Sequence, residues 1–317
     1  MKKLSIIIPV YFNEENLLPL YNDLNDKVLK KLSGLNLDYE IVMVDDGSKD
    51  NSYNVMKELK KIDDKIILIK LSRNFGEHSA ILAGLSKCTG DFAIRKAADL
   101  QDPSEIILKM IKKYNEGNKV VLAVRANRDE PAIQKFFSSL YASMMKKFAL
   151  HNYPKGGFDS FLIDRQVIDL IVSMKEKNTS LHGQVLWTGF KTSTVPYERQ
   201  KREIGKSRWT LSKKIKLVTD SMVGFSNFPI KFITVIGFLI SLITFIWFIV
   251  VIVKKCMGII DQEGYTSLLL VQLMGFGIVM LSIGIIGEYI CRIYDASRNR
   301  PPFIIDTNPE NKDTPKK

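Results

Sequence analysis

The chain has 317 residues, 46% of them hydrophobic and 25% charged, and a formal charge of +12 with a pI near 9.4. That length suits one sizeable globular domain plus something smaller, and the positive balance reads either as a solvated surface or as a match for an anionic partner: nucleic acid, a phosphate-bearing substrate or anionic lipid. Cys88, Cys256 and Cys291 are widely spaced and odd in number, which argues against a disulfide framework and a zinc site.

The opening "MKKLSIIIPVYFNEEN" begins like a signal peptide, but its apolar run stops at Asn13-Glu14-Glu15 with no small-residue cleavage site. It reads as a buried first strand. From there apolar runs alternate with helical patterns. "LSIIIPV" precedes an amphipathic stretch from Asn16 to Leu32, "YEIVMVD" a helix from Ser52 to Lys61, and "KIILIKL" a helix from Glu77 to Ser86. "DFAIRKA" precedes a helix from Pro103 to Asn115, and "KVVLAVR" closes the series. This order predicts an α/β fold, a Rossmann-like and mostly parallel sheet with helices on both faces. Ligands of such sheets bind beyond the carboxyl ends of the strands. Polar clusters fall at five successive strand ends: Tyr11 to Glu14, Asp45 to Ser48, Ser72 to Asn74, Ala97 to Asp102, and Arg125 to Arg128. Together they imply a nucleotide-sized site.

Asp45-Asp46-Gly47-Ser48 fits a turn. It equally fits a nucleoside contact, with one carboxylate accepting from a base N–H while its neighbour orients the ribose. The chain has neither a G-x-G-x-x-G nor a G-x-x-x-x-G-K phosphate loop, so a divalent cation is the natural neutraliser of a diphosphate. Asp99 and Gln101 stand at i and i+2, which puts both oxygens on one side of an extended segment. Such donors suit Mg²⁺ or Mn²⁺ that keeps waters and substrate phosphates as its other ligands. Asp102-Pro103-Ser104-Glu105 reads as a helix start, with Asp102 as N-cap and Glu105 closing a capping box.

Gly205 to Phe232 carries Trp209, Leu211, Ile215, Val218 and Met222 at helical spacing with lysines between, the pattern of a basic helix lying on a membrane surface. Phe232 to Val253 then runs 22 residues without a charge, about 33 Å of helix. Ser267 to Ile286 is a second uncharged stretch of 20 residues. The two make a transmembrane hairpin, in which Gly275, Gly277, Gly284 and Gly287 permit close helix approach and Gln272 offers a cross-helix hydrogen bond. Glu288 at the edge is placed to pair with Arg292. Lysines and arginines before the first span and after the second outweigh Lys254 and Lys255 in the loop, which puts both termini in the cytoplasm. The resulting division is a catalytic domain over 1–204, an interfacial region over 205–231, two spans within 232–290 and a cytoplasmic tail over 291–317, disordered from about Asp306.

Seven ordered motifs, "SIIIPVYFNEEN", "EIVMVDDGSKDNS", "LSRNFGEHSAILAGL", "ADLQDPSE", "GGFDSFLIDRQV", "REIGKSRW" and the ending "GEYICRIYDASRNRPPFII", resemble the polyprenyl-phosphate glycosyltransferases. These are inverting enzymes of GT-A fold, similar to bactoprenol glucosyltransferases and dolichol-phosphate mannose synthases. The resemblance covers about Leu4 to Ile305. It implies transfer of sugar from a UDP- or GDP-linked donor to the phosphate of a membrane polyprenol, with Mg²⁺ or Mn²⁺ as cofactor. By motif, Pro9, Tyr11, Glu14, Asp45, Asp46 and Arg73 would hold the nucleotide. Asp99 and Gln101 would bind the metal, and Asp99 and Asp159 would be the catalytic carboxylates. Arg125 or Arg128, with Arg202, Lys206 and Ser207, would clamp phosphates. One departure stands out: Ala97 occupies the first position of an Asp-x-Asp that family members commonly carry, which predicts weaker metal binding or a shift toward Gln101, Asp159 and water.

A phosphate monoester is mostly dianionic at neutral pH, so the acceptor needs no strong base. Asp159 is therefore expected to orient rather than to take a proton, and catalysis to rest on positioning two anions and stabilising the leaving diphosphate. The implied partners are nucleotide sugar, lipid phosphate and membrane, with a homo-oligomer left open. No nucleic-acid motif is present. Two rivals remain at this level. One is a transferase extending a lipid-linked or polymer glycan, which would be expected to carry a Q-x-x-R-W motif that "QKREIGKSRW" lacks. The other is a catalytically impaired membrane scaffold, which Ala97 alone supports.

Overall fold

The structure is a computed structural model, and it describes residues 1–126, 142–150, 152–154, 157–174, 176, 180–200, 218, 220–221, 223–226, 228–257 and 264–307. Its centre is a sheet of seven strands: β1 (Lys2–Val10), β2 (Leu37–Asp45), β3 (Ile66–Lys70), β4 (Phe92–Arg95), β5 (Val120–Arg125), β6 (Ser160–Asp164) and β7 (Thr192–Tyr197). Their order is β3-β2-β1-β4-β6-β5-β7. β1 pairs in parallel with β2 and β4, β2 with β3, and β5 with β7, while β6 runs antiparallel to both of its neighbours.

The apolar runs read from the sequence form β1 to β5. β6 and β7 were not among them. Inner strands covered on both faces bury nearly every residue, so Ile6 and Ile8 of β1 join one core while Ile7 joins the other. The first core packs under α1 (Glu14–Leu24), α2 (Ser52–Ile62) and α4 (Ile106–Asn115). The second packs under α3 (Glu77–Lys87), α5 (Arg165–Ser173) and α6 (Leu181–Trp187). In α1, Leu17, Leu20, Tyr21 and Leu24 are buried at helical spacing, and a π-type turn, Asn25–Leu29, carries the same stripe on through Val28.

α4 starts at Ile106, later than the Pro103 expected. Glu105 is its N-cap and no side chain caps it. The expected capping box is absent because its carboxylates are spent elsewhere: Glu105 pairs with Lys27 at 3.0 Å, and Asp102 turns inward toward Tyr197.

Two long helices follow, α7 (Phe228–Cys256) and α8 (Tyr265–Ser297). Pro229–Trp247 and Gly275–Ser297 are each long and apolar enough to cross a membrane. Arg292 donates to Glu288 and to Asp220 at 2.8 Å each. The tail departs from the sequence reading. Asp306 is part of an ordered return to the sheet, its N–H donating to the Lys70 carbonyl at 2.8 Å. The rest of the predicted disordered tail, 308–317, lies outside the described residues, as does most of the predicted interfacial helix.

Candidate active site

Because β1 to β5 and β7 point the same way, the loops after them share one rim, and they interlock there. The Phe12 N–H donates to Ser48 Oγ at 3.1 Å and the Asn13 N–H to Ser52 Oγ at 2.9 Å. Glu14 accepts from the Asn51 N–H at 2.7 Å. Asp46 spends both carboxylate oxygens on the loop after β3, accepting from the N–H groups of Phe75 at 2.7 Å and Gly76 at 2.9 Å. Gly47 sits at φ +70°, and a Cβ there would lie 2.6 Å from the Arg73 carbonyl carbon and 2.7 Å from the Asn74 nitrogen. Only glycine allows both the turn and the approach. Burial pushes the Asp46 carboxyl up to about 6 against the pull of those two N–H donors. Burial also raises Asp45, which is fully enclosed. Asp45 Oδ1 accepts from the Ser48 N–H at 3.1 Å, while Oδ2 is buried with no hydrogen-bond partner among the described residues. Asp46 is thus a loop support, and Asp45 carries the unsatisfied acceptor. Pro9 is a half-buried member of β1, Tyr11 packs edge-on to Phe12 at 4.7 Å, and Arg73 is exposed with its guanidinium over the Phe75 ring.

The loop after β4 is a turn, not the extended segment expected. Leu100 takes φ +58°, and Asp99 Oδ1 accepts from the Gln101 N–H at 3.3 Å. The two predicted ligands meet through this side-chain turn and not through i, i+2 alternation. The Gln101 amide oxygen accepts from Arg199, and the Gln101 carbonyl accepts from the Gln200 N–H at 2.9 Å. Lys96 is buried to 2% exposure, its ammonium anchors the loop by donating to the Asp102 carbonyl, and burial lowers its pKa. No group of three or more His, Cys, Asp or Glu side chains suited to a metal occurs among the described residues. One carboxylate and one amide oxygen fit a hard divalent cation held mainly by a diphosphate and water. The guanidinium already resting on Gln101 marks that oxygen as a place for positive charge.

Beside this loop lies a knot of charge. Asp159, just before β6, receives a two-pronged bond from Arg125 at the end of β5, at 2.6 Å from Nε and 2.7 Å from Nη2. The hydroxyl of Tyr197, at the end of β7, lies 2.6 Å from Asp159 Oδ2 and 2.9 Å from Asp102 Oδ1, so one proton serves two carboxylates. Arg95 reaches Asp102, the Asp159 carbonyl and Glu77. Burial opposes ionisation of Asp159, but Arg125 and Tyr197 outweigh it and lower its pKa to about 2. Burial and the two carboxylates push the Tyr197 phenol up. His182 of α6 sits 3.3 Å from the Asp159 carbonyl. Burial, then the neighbouring His78 and Arg95, lower it to about 4. Asp159 is thus an ionised, fully engaged group, suited to orient and ill suited to take a proton.

Residues 5–169 match the family described as "Glycosyl transferase family 2". The chain belongs to this family. Relatives of this family 2 glycosyltransferase match nearly end to end. "Uncharacterized glycosyltransferase YkcC" of Bacillus subtilis is 37% identical, over 95% of this chain and 92% of that protein. "Uncharacterized glycosyltransferase sll0501" of Synechocystis is 32% identical over 96% and 94%. "Bactoprenol glucosyl transferase" of Shigella phage SfV is 32% identical over 96% and 98%. The α/β sheet with its one reversed strand is the GT-A-type architecture expected of such a glycosyltransferase.

In this family 2 glycosyltransferase the rim brings together Asp45, Asp46, Arg73, Asp99, Gln101, Arg125 and Asp159. Arg125, predicted as a phosphate clamp, is committed to Asp159. Arg128, Arg202, Lys206 and Ser207 lie outside the described residues. Sequence reasoning missed Lys96, Glu77, Arg95, His182, Tyr197 and Arg199. Lys96 had a signal: a lysine ending an apolar strand, one residue before the acidic loop. Tyr197 had none, since its carboxylate partners stand 95 and 38 residues away.

Proposed function

We propose that this glycosyltransferase moves a monosaccharide from a nucleotide-diphosphate sugar to a membrane polyprenyl phosphate, with inversion at the anomeric carbon. The observation that carries this reading is the joining, in one chain, of the family 2 rim to two helices each long enough to cross a bilayer. An acceptor delivered by the membrane explains why a sugar-transfer site needs that anchor. The printed name of the phage relative, a bactoprenol glucosyl transferase, supports the same acceptor.

Pro9, Tyr11, Glu14, Asp46 and Arg73 shape the nucleotide site, with the fully enclosed Asp45 beneath it. Asp99 and Gln101 would hold Mg²⁺ or Mn²⁺, which would neutralise the departing diphosphate. Ala97 leaves that site one carboxylate short. Asp159, kept ionised by Arg125, orients the acceptor side while the lipid phosphate, already a dianion, attacks in line. Because Arg125 is engaged, positive charge for the two phosphates comes from Arg73, Arg199, Arg128, Arg202 and Lys206, and Ser207 adds a neutral hydroxyl donor. In this reading residues 1–204 form the catalytic domain on the cytoplasmic face, 205–231 lie along the membrane surface, and about 232–253 and 267–286 span it.

The test is transfer of radiolabelled sugar from UDP- and GDP-linked donors to a short polyprenyl phosphate with Mg²⁺ or Mn²⁺. The expected product is a lipid-linked sugar of inverted anomeric configuration. No lipid-linked product from any common nucleotide sugar would overturn the reading.

A further inference from the structure

Beyond α8 the chain passes Pro301 and Pro302 and returns to the edge of the sheet. Ile305 lies opposite Leu71 in an antiparallel bridge. The Ser72 N–H donates to the Ile304 carbonyl at 2.9 Å, and the Asp306 N–H donates to the Lys70 carbonyl at 2.8 Å. Phe303 and Ile305 pack against the core beneath α3, while the Ile304 side chain is exposed. β3 is the outermost strand on this side and ends at Lys70, so the returning segment pairs with the residues that lead into the Arg73 to Gly76 loop. That loop is therefore gripped at three points: at its start by the returning segment, in its middle by Gly47, and at its end by both oxygens of Asp46.

We infer that residues 303–306 form a positioning strap for the nucleotide-donor loop, with Ile305 as its positioning residue. The inference rests on the donor assignment above. It makes donor affinity depend on residues that follow both membrane helices, so the anchor and the donor site are parts of one device. A strap that merely capped an edge strand would contribute to stability and to nothing else. A strap that sets the loop contributes to donor binding while leaving the acceptor side, at Asp159 on the opposite half of the rim, unchanged.

The test compares the full chain in detergent with Ile305→Asp, Ile305→Val and Ile304→Ser. Ile305→Asp should raise the donor KM about tenfold, the scale of one net hydrogen bond, and leave the acceptor KM and kcat unaltered. Ile305→Val should restore the donor KM, and Ile304→Ser should leave it as in the parent, since its backbone carbonyl stays. Hydrogen exchange gives a readout independent of turnover: in Ile305→Asp the amides of Ser72 to Gly76 should exchange faster while those of β1 and β2 do not. A donor KM within twofold of the parent, a parallel rise in both KM values, or faster exchange throughout β1 and β2 would overturn the strap. If the parent chain makes no lipid-linked sugar, the functional reading fails by itself, and the exchange experiment still decides whether the strap orders the loop.

Discussion

Replacing Asp159 by asparagine keeps the outline of the side chain and removes its charge. Burial works against that charge, but Arg125 and Tyr197 prevail and bring the carboxyl to about 2, whereas a free aspartate titrates near ~3.9. The gap corresponds to on the order of 2 kcal/mol of stability at neutral pH. The side chain is 28% exposed, so screening trims this slightly, while Arg125, 16% exposed, is left facing a neutral amide. A net loss of about 2–4 kcal/mol follows. The folded value lies below the unfolded one, so the contribution is complete above about pH 4 and fades as the pH falls toward 2. Chemical denaturation followed by tryptophan fluorescence should therefore show a gap between parent and Asp159→Asn that is widest at pH 7 and falls to roughly half at pH 3. In turnover, the acid limb of kcat/KM should follow the lipid phosphate near ~6 and persist in the variant. A stability gap constant from pH 7 to 3, or an acid limb near pH 4 that disappears in Asp159→Asn, would refute the reasoning.

Gly47→Ala drives a methyl into the Arg73 and Asn74 backbone at a positive φ. It should cost about 1–3 kcal/mol and raise the donor KM, read by thermal shift and donor titration. Asp99→Ala should abolish turnover, and near-normal activity would remove Asp99 from the metal site. Ala97→Asp should lower the Mg²⁺ or Mn²⁺ concentration giving half-maximal rate, and an unchanged titration would put that position away from the ion. A Cβ at Gly183 would collide with the Phe225 ring, so Gly183→Ala should push the segment leading into α7 off α6. The acceptor KM should rise several-fold with the donor KM unchanged, as measured by initial rates.

The first five strands were legible because strands covered on both faces must be continuously apolar, and "SIIIPV" or "VVLAV" has no other reading in an alternating α/β pattern. β7 escaped because an edge strand needs little apolar content: "TSTVPY" carries two threonines, a serine and a proline, and buries only Val195 and Tyr197. β6 escaped because its five residues sit inside a motif read for its chemistry. The same division holds at the site. Asp46, Asp99 and Arg125 were found because strand ends collect polar residues, which is a local rule. Their partners were not found. Asp46 turned out to hold Phe75 and Gly76, and Arg125 to hold Asp159. Such pairings are set by how far apart the strands lie in the sheet, and chain spacing carries no record of that distance.

The reversed direction of β6 has one more effect. A strand laid against its neighbours' polarity begins where they finish, so Asp159 arrives opposite Arg125. The fork between the two side chains is set by the antiparallel pairing of Leu122 with Phe161 and of Ala123 with Ser160, while Met145, Leu150 and Phe158 from the chain between them are buried in the second core. Arginine and carboxylate thus keep their register for as long as those two strands remain zipped, and a slip of one residue in that pairing would part them.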